Sequence, residues 1–570
     1  MPALTPTILC DGSPLDPAYV PLSIDITREL DRIPVCELRV LDGNVAARQF
    51  ALSDSGSFDP GKSVEIKLRY EGQADATVFK GVVVCQGLTA SSAGSVLQVR
   101  CKDAAVKLST ARQSAVFRDL SDSEIIQQLI QDAGLTLGDV PSTQPQHKEM
   151  VQYRCTAWDF MLSRADAMGL LVNVTDGTIS LHAMQVPGSA ALRLEYGIDE
   201  IYSFDLEANA ELQHEGVAST AWDPKQQQAT PATQAAAVQA AMGDFDAAAL
   251  ASTLGTGTCS LSHPVALPSD ELQAWADARL ARNRLALIRG RVAVPGRADV
   301  ALMDGIELAS VGKHYSGTSV ITGIRHRVDV SGWRTDLQLG LSPTWFAKRA
   351  SIAEPAAGGL LPPISGLQIG VVAAFEDDPD KEYRVKVQIP GIDAGSDNAV
   401  WAQLAAPEAG LGRGYYFRPE AGDEVVLGFL NNDPRRPVIV GALFGSKNTP
   451  PASMGEPSDA NEQRGIVSKK GTTIGFVDRD KASVFIATAQ NNKLLLDDDG
   501  ESISLSDQHG NEITMSKDGI VLRSKAAVRI EANKDIALQS SKDTVLKSDA
   551  GLQIDASQAV AIKGSQVDVK

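Results

Sequence analysis

Over the last hundred residues, apolar side chains recur as pairs two positions apart, each pair set off by Lys, Asp, Ser, Gln and Gly. Val484/Ile486, Leu494/Leu496, Ile503/Leu505 and Ile513/Met515 follow one another at nine or ten residues. The step then falls to eight for Ile520/Leu522, Val528/Ile530, Ile536/Leu538, Thr544/Leu546, Leu552/Ile554 and Val560/Ile562, with Val567/Val569 after seven. Two residues at i and i+2 share one face of a strand, so each pair predicts a short strand with one apolar side. A lone strand of this kind buries too little to stand, whereas stacked copies bury their pairs against those above and below. An eight-residue step is too short for one chain to complete a three-sided coil. Three identical chains, each supplying one side, close the prism and give an intertwined triple-stranded β-helix. Eleven repeats stacked at roughly 4.8 Å give a needle on the order of 50 Å long. A single-chain solenoid or fibre is the alternative.

Upstream the period changes several times. Val64–Tyr70 alternates apolar and polar residues, and Val78–Val84 and Val96–Cys101 follow as further strands. Ser121 with Glu124 forms a capping box before Ile125, Ile126, Leu129 and Ile130, and Gly134 stops that helix. Thr156 opens a second helix that carries Trp158, Phe160, Met161 and Leu162 and ends at Gly169. The Ala- and Gln-rich stretch from Thr220 reads as a loose connection. A helix is predicted over 269–289, then strands over 291–294, 321–328 and 335–339. Beyond a Pro/Gly-rich linker, five short strands between Leu367 and Phe444 predict a small closed barrel of the oligonucleotide/oligosaccharide-binding (OB) type.

The chain has 570 residues and a formal net charge of -18, spread along its length. That length predicts several domains, and the acidic surface argues against nucleic acid as a partner. The six cysteines (Cys10, Cys36, Cys85, Cys101, Cys155 and Cys259) contain no C-x-x-C pair and read as reduced thiols. No stretch is long and apolar enough to span a bilayer, and the first residues lack the basic-then-apolar order of a secretory signal. If the protein works outside the cell, something other than that export route must carry it.

The segment GDEVVLGFLNNDPRRPVIVGALF, Gly422–Phe444, resembles the barrel signature of the VgrG-like central spike proteins of contractile injection systems, which include type VI secretion spikes and phage hub-spike proteins. Its marker residues are Gly422, Asp423, Glu424, Gly428, Asp433, Pro434, Arg435, Arg436, Pro437 and Gly441. FRPEAGDE, SGLQIGVV, STAWDPK and RGRVAVPG add to the resemblance. It implies a mainly β chain: hub-like β-barrels with helical insertions, the OB barrel, and the needle. The corresponding organisation is 1–110 first hub-like barrel portion, 111–220 helical and mixed insertion, 221–265 flexible connection, and 266–350 helix plus second barrel portion. A linker at 351–365, the OB barrel at 366–447, a neck at 448–475 and the trimeric needle at 476–570 complete it. The implied partners are two further copies of the chain, a tail tube or tube-initiator protein at the hub, a PAAR-like tip protein at the needle, baseplate subunits and, transiently, a target membrane. With the sequence ending at Lys570, no effector domain is expected, and the implied setting is a phage-tail-like particle.

Candidate chemistry is sparse. Arg413, Tyr415, Tyr416, Phe417 and Arg418 resemble a nucleic-acid platform but read better as a barrel rim or subunit contact, and Arg435 and Arg436 as ion-pair partners of Asp433 or Glu424. His314 and His326 are a weak cross-strand metal pair. Asp478, Asp480 and Asp497–Asp499 lack the loop spacing of a calcium site. Cys155 with His147 is a thiol–imidazole pair nearby in sequence, and Cys155 lies in an apolar context. No nucleophile elbow, phosphate loop or zinc motif is present. The expectation is a structural subunit with no catalytic residues, cofactor or metal; the alternatives are a receptor-binding fibre or adhesin and a particle-borne envelope-degrading enzyme.

Overall fold

A computed structural model describes residues 4–92, 94–238, 242–349, 352–391 and 399–569. The chain divides into two units, Met1–Gly359 and Leu360–Lys570. Met1 and Lys570, at the two ends read from sequence, lie outside the described residues.

The first unit is built on one continuous sheet. Its path runs from Ser203–Ala208 through Ile288–Pro295, Gly332–Leu339 and Gly317–Asp329, crosses to Pro21–Glu29, and continues through Val35–Leu41, Gly94–Lys102, Ala76–Ser91 and Ser63–Tyr70 to Leu4–Cys10 and Ser13–Pro14. The joint is the pairing of Gly317–Asp329 with Pro21–Glu29, where Ile324 lies opposite Arg28 and Val328 opposite Ile24. Two cores lie against this sheet. One gathers Ile26, Leu38, Ile66, Phe79 and Val99; the other gathers Leu285, Ile306, Ile324 and Leu337. Among the described residues the ladder runs as one path over two cores, and residues 300 positions apart lie side by side in it. The polar face is neutralised locally. Arg325 Nε donates to Asp25 at 2.8 Å, and Asp336 accepts from Arg327 Nε at 3.0 Å and Arg334 Nε at 2.8 Å.

The two sequence-predicted helices stand as α1 (Asp122–Asp132) and α2 (Ala157–Ala167). Both arms of the capping box form, with Glu124 N donating to Ser121 Oγ at 3.4 Å and Ser121 N to Glu124 Oε2 at 2.7 Å. Gly134 and Gly169 take the left-handed conformation (φ 64° and 70°) that ends a helix cheaply only at glycine. The helices share a third core with the strands Leu170–Thr175 and Thr178–Ala183.

Within the segment expected as a flexible connection, described residues form short strands and a helix. Gly216–Asp223 pairs with Gln228–Ala229 and Thr233–Gln234, and in parallel with Thr258–His263. Between them lies α3 (Ala247–Leu254), capped by Asp246. The long helix α4 (Ser269–Leu285) covers this small sheet, burying Ala276 and Leu280 against Val217. Composition misled here because small residues suffice where a helix lies close on a sheet.

At the junction of these parts, Arg282 of α4 is 5% exposed and donates to Asp166 of α2 and, at 3.1 Å, to the Ser342 carbonyl. Asp166 also accepts from Phe346 N. Asp31, in the turn after Pro21–Glu29, accepts from Val172 N at 2.9 Å but lies 3.9 Å from the guanidinium. Burial pushes its carboxyl up to about 6, only partly offset by Val172 and Arg282, and Asp166 adds to the rise. Its side chain keeps 22% of its surface, so water softens this cost.

A carboxyl whose pKa rises on folding contributes stability at low pH that is lost as pH climbs through the folded value. Asp31→Asn keeps the acceptor for Val172 and removes the charge. Thermal melts are expected to place the variant above wild type at pH 7.5, with the gap closing towards pH 4.5; a gap that does not change with pH would count against this assignment.

The second unit opens with the closed barrel, in the order Gln368–Val372, Val385–Gln388, Val400–Leu404, Pro437–Ala442 and Glu424–Phe429. All five strands and the closure agree with the sequence reading. Val372, Val385, Val387, Ala402, Val425, Leu427 and Ile439 fill it. After it, seven five-residue strands from Gln463–Val467 to Gly519–Arg523 form an antiparallel meander, each pairing with the next. Residues 524–569 contain no strand in the single chain; bends recur at Lys525, Asn533, Ser541, Asp549, Ser557 and Ser565, eight residues apart.

Inside the barrel Gly370 is required by packing. A Cβ there would meet Val387 Cγ1 at 2.5 Å and Leu427 Cδ1 at 2.8 Å. Gly370→Ala is expected to cost about 1–3 kcal/mol of barrel stability, as overpacking does. Gly428→Ala, whose nearest contacts would be 3.7 Å away, should change denaturant unfolding far less. Equal effects would mean that the barrel interior is wrongly assigned.

Candidate functional site

The second unit carries extended apolar surface, and the sequence-predicted site residues lie in or beside it. In the meander, the i, i+2 pairs read from sequence all fall on one face. Ile474 lies opposite Ile486, Val484 opposite Leu496, Leu494 opposite Leu505, Ile503 opposite Met515, and Ile513 opposite Leu522. The antiparallel register thus turns separate apolar pairs into two continuous columns. The other face carries Thr473, Ser483, Ser502, Ser504, Ser506 and Thr514, with Phe485 packed over Gly475.

Exposure runs opposite to polarity. Val484, Ile486, Leu496, Ile503, Leu505, Ile513 and Met515 are 36–52% exposed, while Thr473 on the polar face is 6% exposed. Contiguous exposed apolar surface of this extent is uncommon on a solitary soluble protein.

The needle residues continue this. Val528, Ile530, Ile536, Leu538, Leu546, Leu552, Ile554, Val560, Ile562, Val567 and Val569 are all exposed, from 52% to 89%. They follow the bends at fixed phase, one pair per eight residues, in a backbone that has no strand partner in the chain.

In the barrel, the signature residues build turns and an outer face. Gly422 has φ 91°, donates to the Val372 carbonyl at 2.8 Å and so fixes the entry to the strand that begins at Glu424. Asp423 accepts from Glu420 N at 2.8 Å. Before the last strand, Asp433 accepts from Arg435 N at 2.9 Å and from its guanidinium at 2.6 Å, and these bonds hold its carboxyl down to about 2. The pairing of Arg435 with Asp433, one of the two options read from sequence, is therefore the one formed. Pro434 lies in this turn, the Arg436 carbonyl accepts from Leu430 N, and Pro437 starts the final strand. Gly428 and Gly441 have no close neighbour that forbids a side chain. They lie on the barrel exterior beside Leu367 (66% exposed) and Val440 (53%). Glycine inside a strand often marks a place where another backbone comes close.

The Arg413–Arg418 group lies at the rim of the barrel. Tyr415, Tyr416 and Phe417 are more than half exposed, Arg413 pairs with Glu408 at 2.8 Å, and the Arg418 guanidinium lies 4.4 Å from the Phe375 ring centre. Both arginines are thus already engaged.

The remaining candidates are held separately. His314 bonds to Asp244 at 2.5 Å, whereas His326 is buried, bonds to Thr335 at 3.1 Å and is driven down to about 3 by burial. His147 bonds to Asp122 at 2.9 Å, and Cys155 is buried, with its thiol pushed up by burial. Lys481 pairs with Asp499 at 3.0 Å and Arg464 with Asp478 at 3.0 Å. Among the described residues no helix is long and apolar enough to cross a membrane.

Residues 2–329 match the family described as the Alg8 N-terminal domain, and residues 368–444 match the type VI secretion system/phage-baseplate injector OB domain. The "Actin cross-linking toxin VgrG1" of Vibrio cholerae is 31% identical over 101 residues, covering 17% of this chain and 9% of that protein. The "Type VI secretion system spike protein VgrG3" of Vibrio cholerae is 32% identical over 123 residues, covering 20% of this chain and 12% of that protein. The matched stretch thus spans about a tenth of these relatives' own length. A tail protein from Neisseria meningitidis MC58 superposes with a TM-score of 0.43 and 14% identity, covering 61% of this chain and 99% of that one.

If the exterior glycines serve close approach by another chain, a bulky residue at Gly441 should leave the isolated barrel folded yet impair assembly. Gly441→Trp is expected to unfold normally in denaturant but to shift the sedimentation of the full chain towards smaller species; unchanged sedimentation would remove Gly441 from any interface. By the match over more than half of its length and by its injector-type barrel, the chain belongs to the Alg8 N-terminal domain family and is a member of the VgrG-like spike proteins.

Proposed function

We propose that this protein is the homotrimeric central spike of a contractile injection apparatus and acts mechanically. The observation that carries this reading is the meander whose two apolar columns face water in one chain. Three such sheets, brought together about a common axis, bury all of the columns at once and leave the serine- and threonine-rich faces outward. Burial of apolar surface at about 25 cal/mol per Å² makes that closure the dominant gain on assembly.

Past Arg523 the mode changes. Each meander strand has its hydrogen-bond partners within its own chain, whereas each eight-residue repeat of 524–569 needs partners from the other two. The upper sheets can therefore form in one chain, but the lower needle forms only as the chains wind together. Winding of this kind resists separation of the chains under an axial load, which suits a part driven through an envelope.

In this reading the first unit forms the hub that meets the tail tube or a tube-initiator protein, baseplate subunits surround it, and a PAAR-like tip protein caps the needle. Contact with a target membrane is transient. The protein itself carries out no envelope hydrolysis. Purified protein is expected to leave peptidoglycan intact; turnover abolished by changing a single acidic residue would instead make it a particle-borne enzyme.

The trimer is tested by sedimentation equilibrium together with paired substitutions. Full-length protein is expected to sediment as three chains. Ile536→Asp and Ile554→Asp place three like charges in a closed apolar core and should lower the melting temperature and detergent resistance of the trimer. Gln539→Asp, next to Leu538, and Gln553→Asp, between Leu552 and Ile554, face out in this register and should each cost less than about 0.5 kcal/mol per chain. A monomer at micromolar concentration, or equal losses from both pairs, would refute the shared core.

A further inference from the structure

The first unit contains a cleft of about 600 Å³ that the spike role does not use. It lies where α2, the strand Gln146–His147 and the first turns of α4 converge, with the loop after Thr258–His263 closing one side. Its floor is a fixed polar network. Asp122 is fully buried and accepts from His147 Nε2 at 2.9 Å and from Arg164 Nε and Nη2 at 2.6 and 3.0 Å; Arg164 Nη2 also donates to Glu271 at 2.8 Å. Burial alone would raise the Asp122 carboxyl, but Arg164 and then His147 hold it below its usual range, so the network keeps its charge.

This arrangement sets what each group offers to the cleft. With Nε2 tied to Asp122, the imidazole of His147 presents its other edge. Arg164 is held by Asp122 through Nε and Nη2 and by Glu271 through Nη2. One wall is Trp275, whose indole makes an edge contact with His263 at 6.4 Å and 86°. Gln146 supplies an exposed amide at the rim.

The exposed charges at the opening are paired, Lys148 with Asp119 at 2.7 Å and Glu149 with Arg118 at 3.1 Å. In the floor, Arg164 faces two carboxylates, Asp122 and Glu271, so the network carries one more carboxylate than guanidinium. That surplus disfavours an anion, and Arg164 stands against a cation. An aromatic wall, several oriented hydrogen-bonding groups and a carboxylate acceptor, in a cleft of ligand size, suit a neutral ligand with an apolar face and many hydroxyls. We infer that this cleft binds a neutral oligosaccharide, with one sugar ring against Trp275 and its hydroxyls on His147, Glu271 and Gln146.

Saturation-transfer NMR on the full-length protein tests this, with an N-acetylglucosamine tetramer and maltotetraose as neutral probes and tetragalacturonate and tetralysine as charged ones. Transfer to at least one neutral probe is expected, with little to either charged one. Trp275→Ala should weaken binding roughly tenfold, as expected for loss of an aromatic contact. Trp275→Phe should retain it, Gln146→Ala should weaken it severalfold, and Trp222→Ala, which lies outside the cleft, should leave it unchanged. If Trp275→Ala does not fold, Gln146→Ala against Trp222→Ala still decides the matter. The proposal is overturned by no transfer to either neutral probe, by preference for a charged probe, or by binding that survives both cleft substitutions.

Discussion

In the second unit the meander is a sheet that leaves its apolar columns exposed in one chain. The residues that alternate in Val484–Ile486 or Ile503–Leu505 have no core of their own to enter, because the strands are five residues long and only one layer thick. Each meander strand pairs with the next within one chain, yet the apolar columns remain exposed. Under the proposed trimer, backbone pairing in the meander is met by one chain and apolar burial by three. Residues 525–569 form no strand in one chain, so under that proposal both requirements pass to the assembly.

The first unit solves the opposite problem. Its sheet is long and has two cores on its apolar side, so stability does not wait on a partner. Its polar side is crossed by ion pairs such as Arg325–Asp25 and Arg327–Asp336, which join strands distant in sequence without creating an isolated charge. Where the insertion meets the sheet, Arg282 serves Asp166 closely and Asp31 only at 3.9 Å. That unequal sharing makes Asp31 the one acid of the junction whose ionisation works against the fold near neutral pH. Under the proposed spike role, the first unit, with cores of its own, serves as the mount, and residues 524–569 are the part that forms on assembly.

Much of this was legible in the residues. The i, i+2 pairs marked the meander strands and the face they share, and the Ser121/Glu124 box and the glycines at 134 and 169 marked the helix ends. The barrel strands were bounded by turn residues, and Asp433 with Arg435 closed one of those turns. What escaped did so for physical reasons. The small sheet around Gly216–Asp223 is partly parallel and rich in Ala, Ser and Thr, so it carries no alternation; its partner strand begins 35 residues beyond its end, at Thr258. The joint between Pro21–Glu29 and Gly317–Asp329 depends on tertiary pairing that no local pattern encodes. The network of Asp122, His147, Arg164 and Glu271 is drawn from four elements, and each residue alone looks like an ordinary surface charge.

The central claim is that residues 524–569, unpaired in one chain, become paired strands when three chains wind together. Hydrogen–deuterium exchange read residue by residue along this segment of the purified full-length protein measures that directly. The account predicts slow exchange recurring every eight residues, with protected amides flanking Ile536/Leu538 and Leu552/Ile554 and faster exchange at the bends near Ser541 and Asp549. Uniform exchange at the rate of an unstructured chain, in protein that nonetheless sediments as a trimer, would contradict it.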